Sequence, residues 1–133
     1  MQSNDIVIHT DGACKGNPGP GGWGTVIEQN GNQQKLSGSE PQTTNNRMEM
    51  TAVIKGLEAV DPLVKVLISS DSTYVINTMT KGWKRKANHD LWDQLDRLVK
   101  NRDISWLWVR GHNGDRGNEL ADALATKEAG TAK

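Results

Sequence analysis

Four acidic residues, Asp11, Glu49, Asp71 and Asp122, lie where the sequence pattern begins or ends a secondary-structure element. Taken singly, each has an ordinary explanation as a turn former, a helix cap or a partner of the helix dipole. If the fold gathers them within about 4 Å, each like-charged pair costs on the order of 4 kcal/mol at an effective dielectric constant near 20. Bound cations would make such a cluster tolerable, and carboxylate oxygens suit Mg²⁺ or Mn²⁺.

The first third of the chain predicts an antiparallel meander. Strand-like runs cover Ile6–Thr10, Gly24–Glu28 and Gln33–Gly38. A loop rich in Gly and Pro, Gly16–Gly22, separates the first two runs. Asn30-Gly31 separates the last two, and both residues tolerate the positive φ of a type I′ hairpin turn.

The rest of the chain predicts alternating helices and strands. We expect a helix over Asn45–Val60, a strand over Val64–Ser70, a short helix around Val75–Met79, a helix capped by Asp90, a strand over Ile104–Val109, and a helix from about Asn118 to Lys127 with a fraying tail. Such an order describes a mixed sheet covered by helices. Trp92, Trp106 and Trp108 lie on periodic apolar faces and are predicted to be core residues.

The strands that end at Asp11 and Asp71 lead outward in opposite directions, which makes a crevice beyond their carboxyl ends. Ligands bind in crevices of this kind. Neighbouring strands lie about 4.8 Å apart, so the two carboxylates would be in near contact. We expect Glu49 and Asp122 to close the cluster from their helices.

Length and composition narrow the class of protein. A chain of 133 residues fits one domain. The 16 basic and 16 acidic residues balance, so overall charge makes no general case for an anionic partner. The single cysteine excludes an internal disulfide, and the N-terminal MQSND is too polar and short for a secretory signal. With no apolar run near the ~18 residues of a membrane helix, we expect no membrane association and a cytoplasmic location.

Four sequence blocks, each holding one of the acids, resemble the signature of type 1 ribonuclease H. They are TDGACKGNPGPGGWG (Thr10–Gly24), TTNNRMEM (Thr43–Met50), SSDSTYV (Ser69–Val75) and VRGHNGDRGNELAD (Val109–Asp122). The blocks occur in order and span nearly the whole chain. The resemblance implies one catalytic domain over residues 1–133, with the α/β fold of ribonuclease H: a five-stranded mixed sheet, antiparallel meander plus parallel strands, flanked by helices.

The resemblance also implies a reaction. The family cleaves the RNA strand of RNA/DNA hybrids with two divalent ions, so we expect an endoribonuclease using two Mg²⁺ ions, with Mn²⁺ as a substitute, and leaving 5′-phosphate and 3′-hydroxyl ends. The catalytic metal ligands would be Asp11, Glu49, Asp71 and Asp122. His112 would assist proton transfer or product departure, although a His beside Gly in a loop is otherwise more often a surface residue. We expect a monomer.

Two further groups of residues match hybrid contacts of the family. Gly12, Cys14, Gly16, Asn17 and Asn46 match positions that contact the hybrid, and Thr44 and Asn45 match a phosphate pocket on the DNA strand. A helix N-terminus suits an anion, while simple helix capping explains the same residues and both can hold.

The segment Lys81–His89 is the one strongly basic run. Trp83, Lys84, Arg85 and Lys86 are candidate hybrid contacts, because cations neutralise phosphates and an aromatic ring packs on sugar or base. The alternative is a solvated charged loop. Compared with longer bacterial members, the chain lacks an inserted helix and a fuller basic handle in this region.

Two rival functions make different demands on the sequence. An integrase or junction resolvase of the same fold would keep the acids but lack TTNNRME and the Asn17 loop. A noncatalytic hybrid-binding module would lose at least one acid. The intact set disfavours both.

Overall fold

The computed structural model describes residues 6–110 and 116–132. In chain order the elements are β1 (Ile6–Cys14), β2 (Gly19–Gln29), β3 (Asn32–Thr43), α1 (Asn45–Glu58), β4 (Val66–Ser70), α2 (Thr73–Lys81), α3 (His89–Val99), β5 (Ile104–Trp108) and α4 (Arg116–Thr131). None of the helices in these two ranges is long and apolar enough to cross a membrane.

The five strands form one mixed sheet in the order β3-β2-β1-β4-β5. The β1–β2 and β2–β3 pairs are antiparallel, whereas β1–β4 and β4–β5 are parallel. The predicted meander with added parallel strands is therefore confirmed. The parallel β1–β4 pairing ends at Thr10 and Ser70, so Asp11 and Asp71 are the next residues on the two neighbouring chains.

Strand bounds differ from the prediction near the first acid. β1 does not end at Thr10 but runs through Asp11, because its antiparallel pairing with β2 continues to Cys14 opposite Gly21. β2 begins at Gly19, inside the stretch predicted to be a loop. Tertiary pairing overrides the weak strand propensity of glycine here.

The helix ends also correct two predictions. Asn88, in a left-handed conformation with φ 61°, precedes α3, so Asp90 lies inside the first turn and is not the cap. Its carboxylate instead accepts from the Arg47 guanidinium of α1 at 2.7 Å. The tail does not fray after Lys127, because α4 continues to Thr131 and buries Ala129.

Helices cover the two faces of the sheet differently. On one face α1 and α3 pack with the strands around the main core, whose fully buried side chains include Ile8, Val53, Leu57, Ile68, Trp92 and Leu95. On the other face α4 lies across β1 and β2. Trp92 and Trp106 belong to the core or pack against it, as predicted. The prediction for Trp108 is wrong: it ends the edge strand β5 and is 45% exposed.

Close contact between α4 and β2 depends on glycine. A Cβ on Gly22 would lie 2.5 Å from Ala125 O and 2.5 Å from Ala129 N. We expect Gly22→Ala to lower the free energy of unfolding by about 1–3 kcal/mol through overpacking. Gly130→Ala is the matched control, since its Cβ would meet only Lys15 Nζ at 3.7 Å. In urea unfolding the control should be neutral or slightly stabilising, and equal losses in both variants would contradict the packing account.

Candidate active site

Acidic side chains from three elements converge beyond the carboxyl ends of β1 and β4. One carboxylate oxygen from each of Asp11, Glu49 and Asp71 lies within 4.8 Å of the other two. Asp11 comes from β1, Asp71 directly follows β4, and Glu49 lies in the second turn of α1. Asp122 reaches the cluster from α4 as a hydrogen-bond partner of Asp11. The four candidate acids therefore meet in one place.

Gly12 is the reason that Glu49 can approach Asp11. A Cβ on Gly12 would lie 2.5 Å from Glu49 N and 2.6 Å from the carbonyl carbon of Met48. Any larger residue would push α1 away from β1. The Gly12 N–H also donates to Asp11 Oδ1 at 2.9 Å, which orients the carboxylate.

The cluster carries more negative charge than its surroundings compensate. Burial raises the pKa of Asp11 to about 8, and the hydrogen bond to Asp122 and the charge of Asp71 act in the same direction. Burial also raises the pKa of Glu49 well above its usual range, reinforced by the charges of Asp11 and Asp71. Glu49 Oε1 is buried and, within the described part of the chain, accepts no hydrogen bond. Crowded, undercompensated carboxylate oxygens fit a hard divalent cation.

The turn that carries Asp71 is held by its neighbours. Ser70 Oγ accepts from Ser72 N at 3.0 Å, and Ser72 Oγ accepts from Val75 N at 3.1 Å and so caps α2. Trp108 Nε1 donates to the backbone oxygen of Asp71 at 3.2 Å. The periodicity of β5 predicts a core position for Trp108. Its place beside Asp71 follows from its pairing with Ser70 in the parallel register, which the structure and not the sequence pattern shows.

The glycine-rich segment is tied to the start of α1. Asn17 Oδ1 accepts from the backbone N–H of Asn45 at 2.9 Å, and Thr44 Oγ1 accepts from Arg47 N at 3.2 Å. Thr44 is thus the N-cap of α1, which is the capping alternative considered for this sequence. Two of the amides at this N-terminus are already bonded within the protein, so an anion here would compete with or supplement these contacts.

The other candidate contacts lie around the same segment. Gly16 adopts φ +81° and Asn17 φ 21°, and both are exposed. Asn46 is exposed in the first turn of α1. The Cys14 thiol is turned toward Gly19 O at 3.5 Å and Thr43 O at 3.4 Å, so it links strand ends. His112 lies outside the described residues.

The basic run divides into exposed cations and one anchored arginine. Trp83 is 48% exposed, and Lys84 and Lys86 are exposed. Arg85 instead donates to Asp96 of α3 at 2.6 Å and lies over the Trp92 ring, 5.0 Å from its centroid. Its guanidinium therefore fastens the segment to α3. A charge count along the sequence does not separate these two roles.

The sheet topology and the carboxylate cluster define an α/β enzyme with an acidic site suited to divalent metal. The sequence pattern of the RNase H family matches residues 3–130. A protein named Ribonuclease H from Hyphomonas neptunium is 49% identical over 96% of this chain and 94% of its own length. Another, from Polynucleobacter asymbioticus, is 51% identical over 92% of this chain and 88% of its own.

Solved structures agree with this similarity. LC9-RNase H1, described as a type 1 RNase H with the type 2 active-site motif, superposes with a TM-score of 0.84 at 32% identity, covering 100% of this chain and 75% of that one. LC11-RNase H1, solved in complex with an RNA/DNA hybrid, gives a TM-score of 0.75 at 28% identity, covering 92% and 97%. The chain belongs to the RNase H family and is a ribonuclease H, which confirms the resemblance found in its sequence.

The raised pKa of Asp11 predicts a pH-dependent stability in metal-free buffer. Its folded pKa of about 8 exceeds the ordinary value of 3.8, so its contribution is fully present below about pH 4 and is lost as the pH rises to about 8. The loss at pH 7 should be on the order of 1–4 kcal/mol. Asp11→Asn removes this titration, so it should match the wild type near pH 4 and be more stable near pH 8 in urea unfolding.

The control for this comparison is Asp103→Asn, an exposed acid just before β5, at the opposite end of the parallel strands. It should follow the wild-type curve across the pH range. A stability difference between Asp11→Asn and wild type that does not change with pH would contradict the assigned shift.

Proposed function

We propose that the enzyme cleaves the RNA strand of RNA/DNA hybrids endonucleolytically, using two Mg²⁺ ions held by Asp11, Glu49, Asp71 and Asp122. Mn²⁺ substitutes for Mg²⁺, and the products carry 5′-phosphate and 3′-hydroxyl ends. The observation that carries the proposal is the convergence of three carboxylates within 4.8 Å, with a buried Glu49 oxygen that lacks a donor among the described residues. The hybrid bound to the similar LC11-RNase H1 supports the substrate.

Two divalent ions held by these carboxylates would supply an activated water and would stabilise the departing oxygen of the phosphodiester. Asp11 would be their shared ligand, because it is hydrogen-bonded to Asp122 and lies within 4.8 Å of both Glu49 and Asp71. Gly12 fixes the orientation of the Asp11 carboxylate through its N–H. His112 assists proton transfer or product departure.

Recognition of the hybrid uses the surface beside the acids. A protein distinguishes RNA by its 2′-hydroxyls across a wide, shallow minor groove, and the proposed contacts are Gly12, Cys14, Gly16, Asn17 and Asn46. Thr44 and Asn45 bind a phosphate of the DNA strand at the N-terminus of α1. The hydrogen bond from Asn45 N to Asn17 Oδ1 joins these two contact regions. It supports the proposal that they bind the two strands of one hybrid.

The direct test incubates the protein with labelled RNA/DNA hybrid, RNA duplex and DNA duplex, with and without Mg²⁺. We expect cleavage of the hybrid alone, only with metal, to oligonucleotides that carry a 5′-phosphate. Asp11→Asn should lose more than about a hundredfold in rate, roughly 2.7 kcal/mol of barrier, because the shared ligand loses its charge. Residual activity above that level would contradict the shared-ligand role, and metal-independent cleavage would contradict the mechanism.

Within the basic segment, variants of Lys84 and Lys86 test binding of the hybrid, and a variant of Arg85 tests attachment of the segment to α3. Lys84→Ala with Lys86→Ala should raise KM for the hybrid and leave kcat nearly unchanged, because uniform binding is lost. The slope of log affinity against log salt should fall by about 2, at ~0.9 per phosphate contact.

Arg85→Ala should behave differently, since Arg85 is held by Asp96 and Trp92. We expect it to lower the free energy of unfolding by about 1 kcal/mol, measured in urea, with a smaller change in the salt slope than the double lysine variant. An unchanged KM and salt slope in the lysine variant would identify the segment as a solvated loop.

A further inference from the structure

We propose that Asn118 is a positioning residue that sets where α4 lies on the sheet and thereby places Asp122 against Asp11. The inference rests on the proposed function, because Asp122 matters to the reaction only if it belongs to the metal site. Asn118 lies one helical turn before Asp122 on the same face of α4.

The Asn118 side chain bonds to both strands that carry the central acids. Its Oδ1 accepts from Ser69 Oγ at 2.8 Å, and its Nδ2 donates to the backbone oxygen of Ser69 at 3.2 Å. His9 Nδ1 lies 3.2 Å from the same Oδ1. His9 and Ser69 are directly paired in the parallel register of β1 and β4. Asn118 therefore bridges the two strands two residues before Asp11 and two residues before Asp71.

The orientation of the Asn118 amide determines whether His9 Nδ1 donates or accepts a hydrogen bond. The backbone oxygen of Ser69 can only accept, so Nδ2 of Asn118 faces it and Oδ1 faces the imidazole. His9 Nδ1 must then be the donor. The other ring nitrogen, Nε2, lies 2.7 Å from Glu28 Oε1 on β2. Both ring nitrogens therefore face side-chain oxygens, Asn118 Oδ1 and Glu28 Oε1.

The hydrogen bonds of Asn118 to His9 and Ser69, here called the Asn118 clamp, fix the position of α4 along β1. The residue spacing of a helix and of a strand explains how. Two residues of a strand span about 6.6–6.8 Å and four residues of a helix span about 6 Å. The step from His9 to Asp11 thus matches the step from Asn118 to Asp122. The N-terminal end of α4 packs directly on His9, because the His9 ring leaves no room for a Cβ on Gly117.

The close contacts between α4 and β2 are contacts of the helix backbone and Cβ atoms with glycine. Gly24 lies against Ala121, Leu124 and Ala125, and Gly22 lies against Ala125, Glu128 and Ala129. A shift of one residue along the helix axis moves Asp122 by about 1.5 Å. Misplacement of about 1 Å can cost on the order of a hundredfold in rate. Directional bonds to Asn118 are what this end of the interface supplies.

At the far end of α4, Ser37 Oγ donates to Glu128 Oε2 at 2.6 Å, and this contact is exposed. Glu128 lies six residues beyond Asp122, whereas Asn118 lies four residues before it and its bonds are partly buried. The Asn118 bonds therefore have a greater influence than the Ser37–Glu128 bond on where the Asp122 carboxylate points.

Two substitutions of His9 distinguish the effect of its hydrogen bond to Asn118 from the effect of its ring packing. The amide of Asn occupies the place of Nδ1 and that of Gln the place of Nε2, so His9→Asn keeps a donor toward Asn118 while His9→Gln keeps only one toward Glu28. Both remove the ring that packs on Gly117. We expect His9→Gln and Asn118→Ala to lower kcat on the hybrid about 10- to 100-fold, with KM within about threefold of wild type and His9→Asn within about threefold in kcat.

A second readout does not depend on turnover. The Mn²⁺ concentration that gives half-maximal thermal stabilisation should rise several-fold in Asn118→Ala and His9→Gln, as in Asp122→Asn, and stay near wild type in His9→Asn. If Asn118→Ala does not fold, the His9 pair carries the test alone.

The outcomes distinguish this inference from the proposed function. If Asp122→Asn loses activity while Asn118→Ala and His9→Gln match wild type in kcat and in Mn²⁺ response, the positioning role is overturned and the proposed function stands. Equal losses in His9→Asn and His9→Gln also overturn it, because the ring and not the donor would matter. Full activity of Asp122→Asn would overturn the role of Asp122 itself and this inference with it.

Discussion

Carboxylates held within 4.8 Å of one another repel, and a folded chain without a cation relieves that repulsion by taking up protons. The raised pKa values of Asp11 and Glu49 follow first from burial and then from this crowding. A divalent cation offers the other relief, since it supplies the missing positive charge without protonation. A cluster that suits a divalent cation in this way therefore also destabilises the metal-free fold.

A frame that holds such a cluster must resist its tendency to open. The parallel pairing of β1 with β4 brings Asp11 and Asp71 to adjacent chains at one end of the sheet. Gly12 removes the steric barrier to α1, so that Glu49 enters from one side. The bonds of Asn118 hold α4 on the other side. Each element packs near the acids through glycine or through directional polar contacts. Small local changes at these contacts would therefore move the acidic side chains.

Much of this arrangement was predictable from the sequence, because it depends on local signals. The Asn30-Gly31 turn adopts positive φ at both residues, 55° and 80°, as the dipeptide indicates. The amphipathic pattern places α1, and the acids that follow strand-like runs do meet in one crevice. Position along an element and the order of elements were sufficient for these features.

The features that sequence reasoning missed depend on partners distant in the chain. β1 extends through Asp11 because β2 pairs with it, although glycine dominates that part of β2. Asp90 bonds to Arg47 of another helix and so does not cap its own. Trp108 shares the periodicity of a core residue, but β5 is an edge strand and its last residue is half exposed. Arg85 looks like its basic neighbours until Asp96 and Trp92 are placed beside it.

In the proposed mechanism the carboxylate cluster binds a pair of divalent ions when the hybrid is bound. The most direct measurement is anomalous diffraction from crystals of the enzyme grown with Mn²⁺ and an RNA/DNA hybrid whose scissile linkage resists hydrolysis. We expect two Mn²⁺ peaks about 3.5–4 Å apart, with Asp11 contacting both and Glu49, Asp71 and Asp122 completing the ligands. Hybrid bound beside the acids with no Mn²⁺ among them, or with Mn²⁺ held elsewhere on the protein, would contradict it.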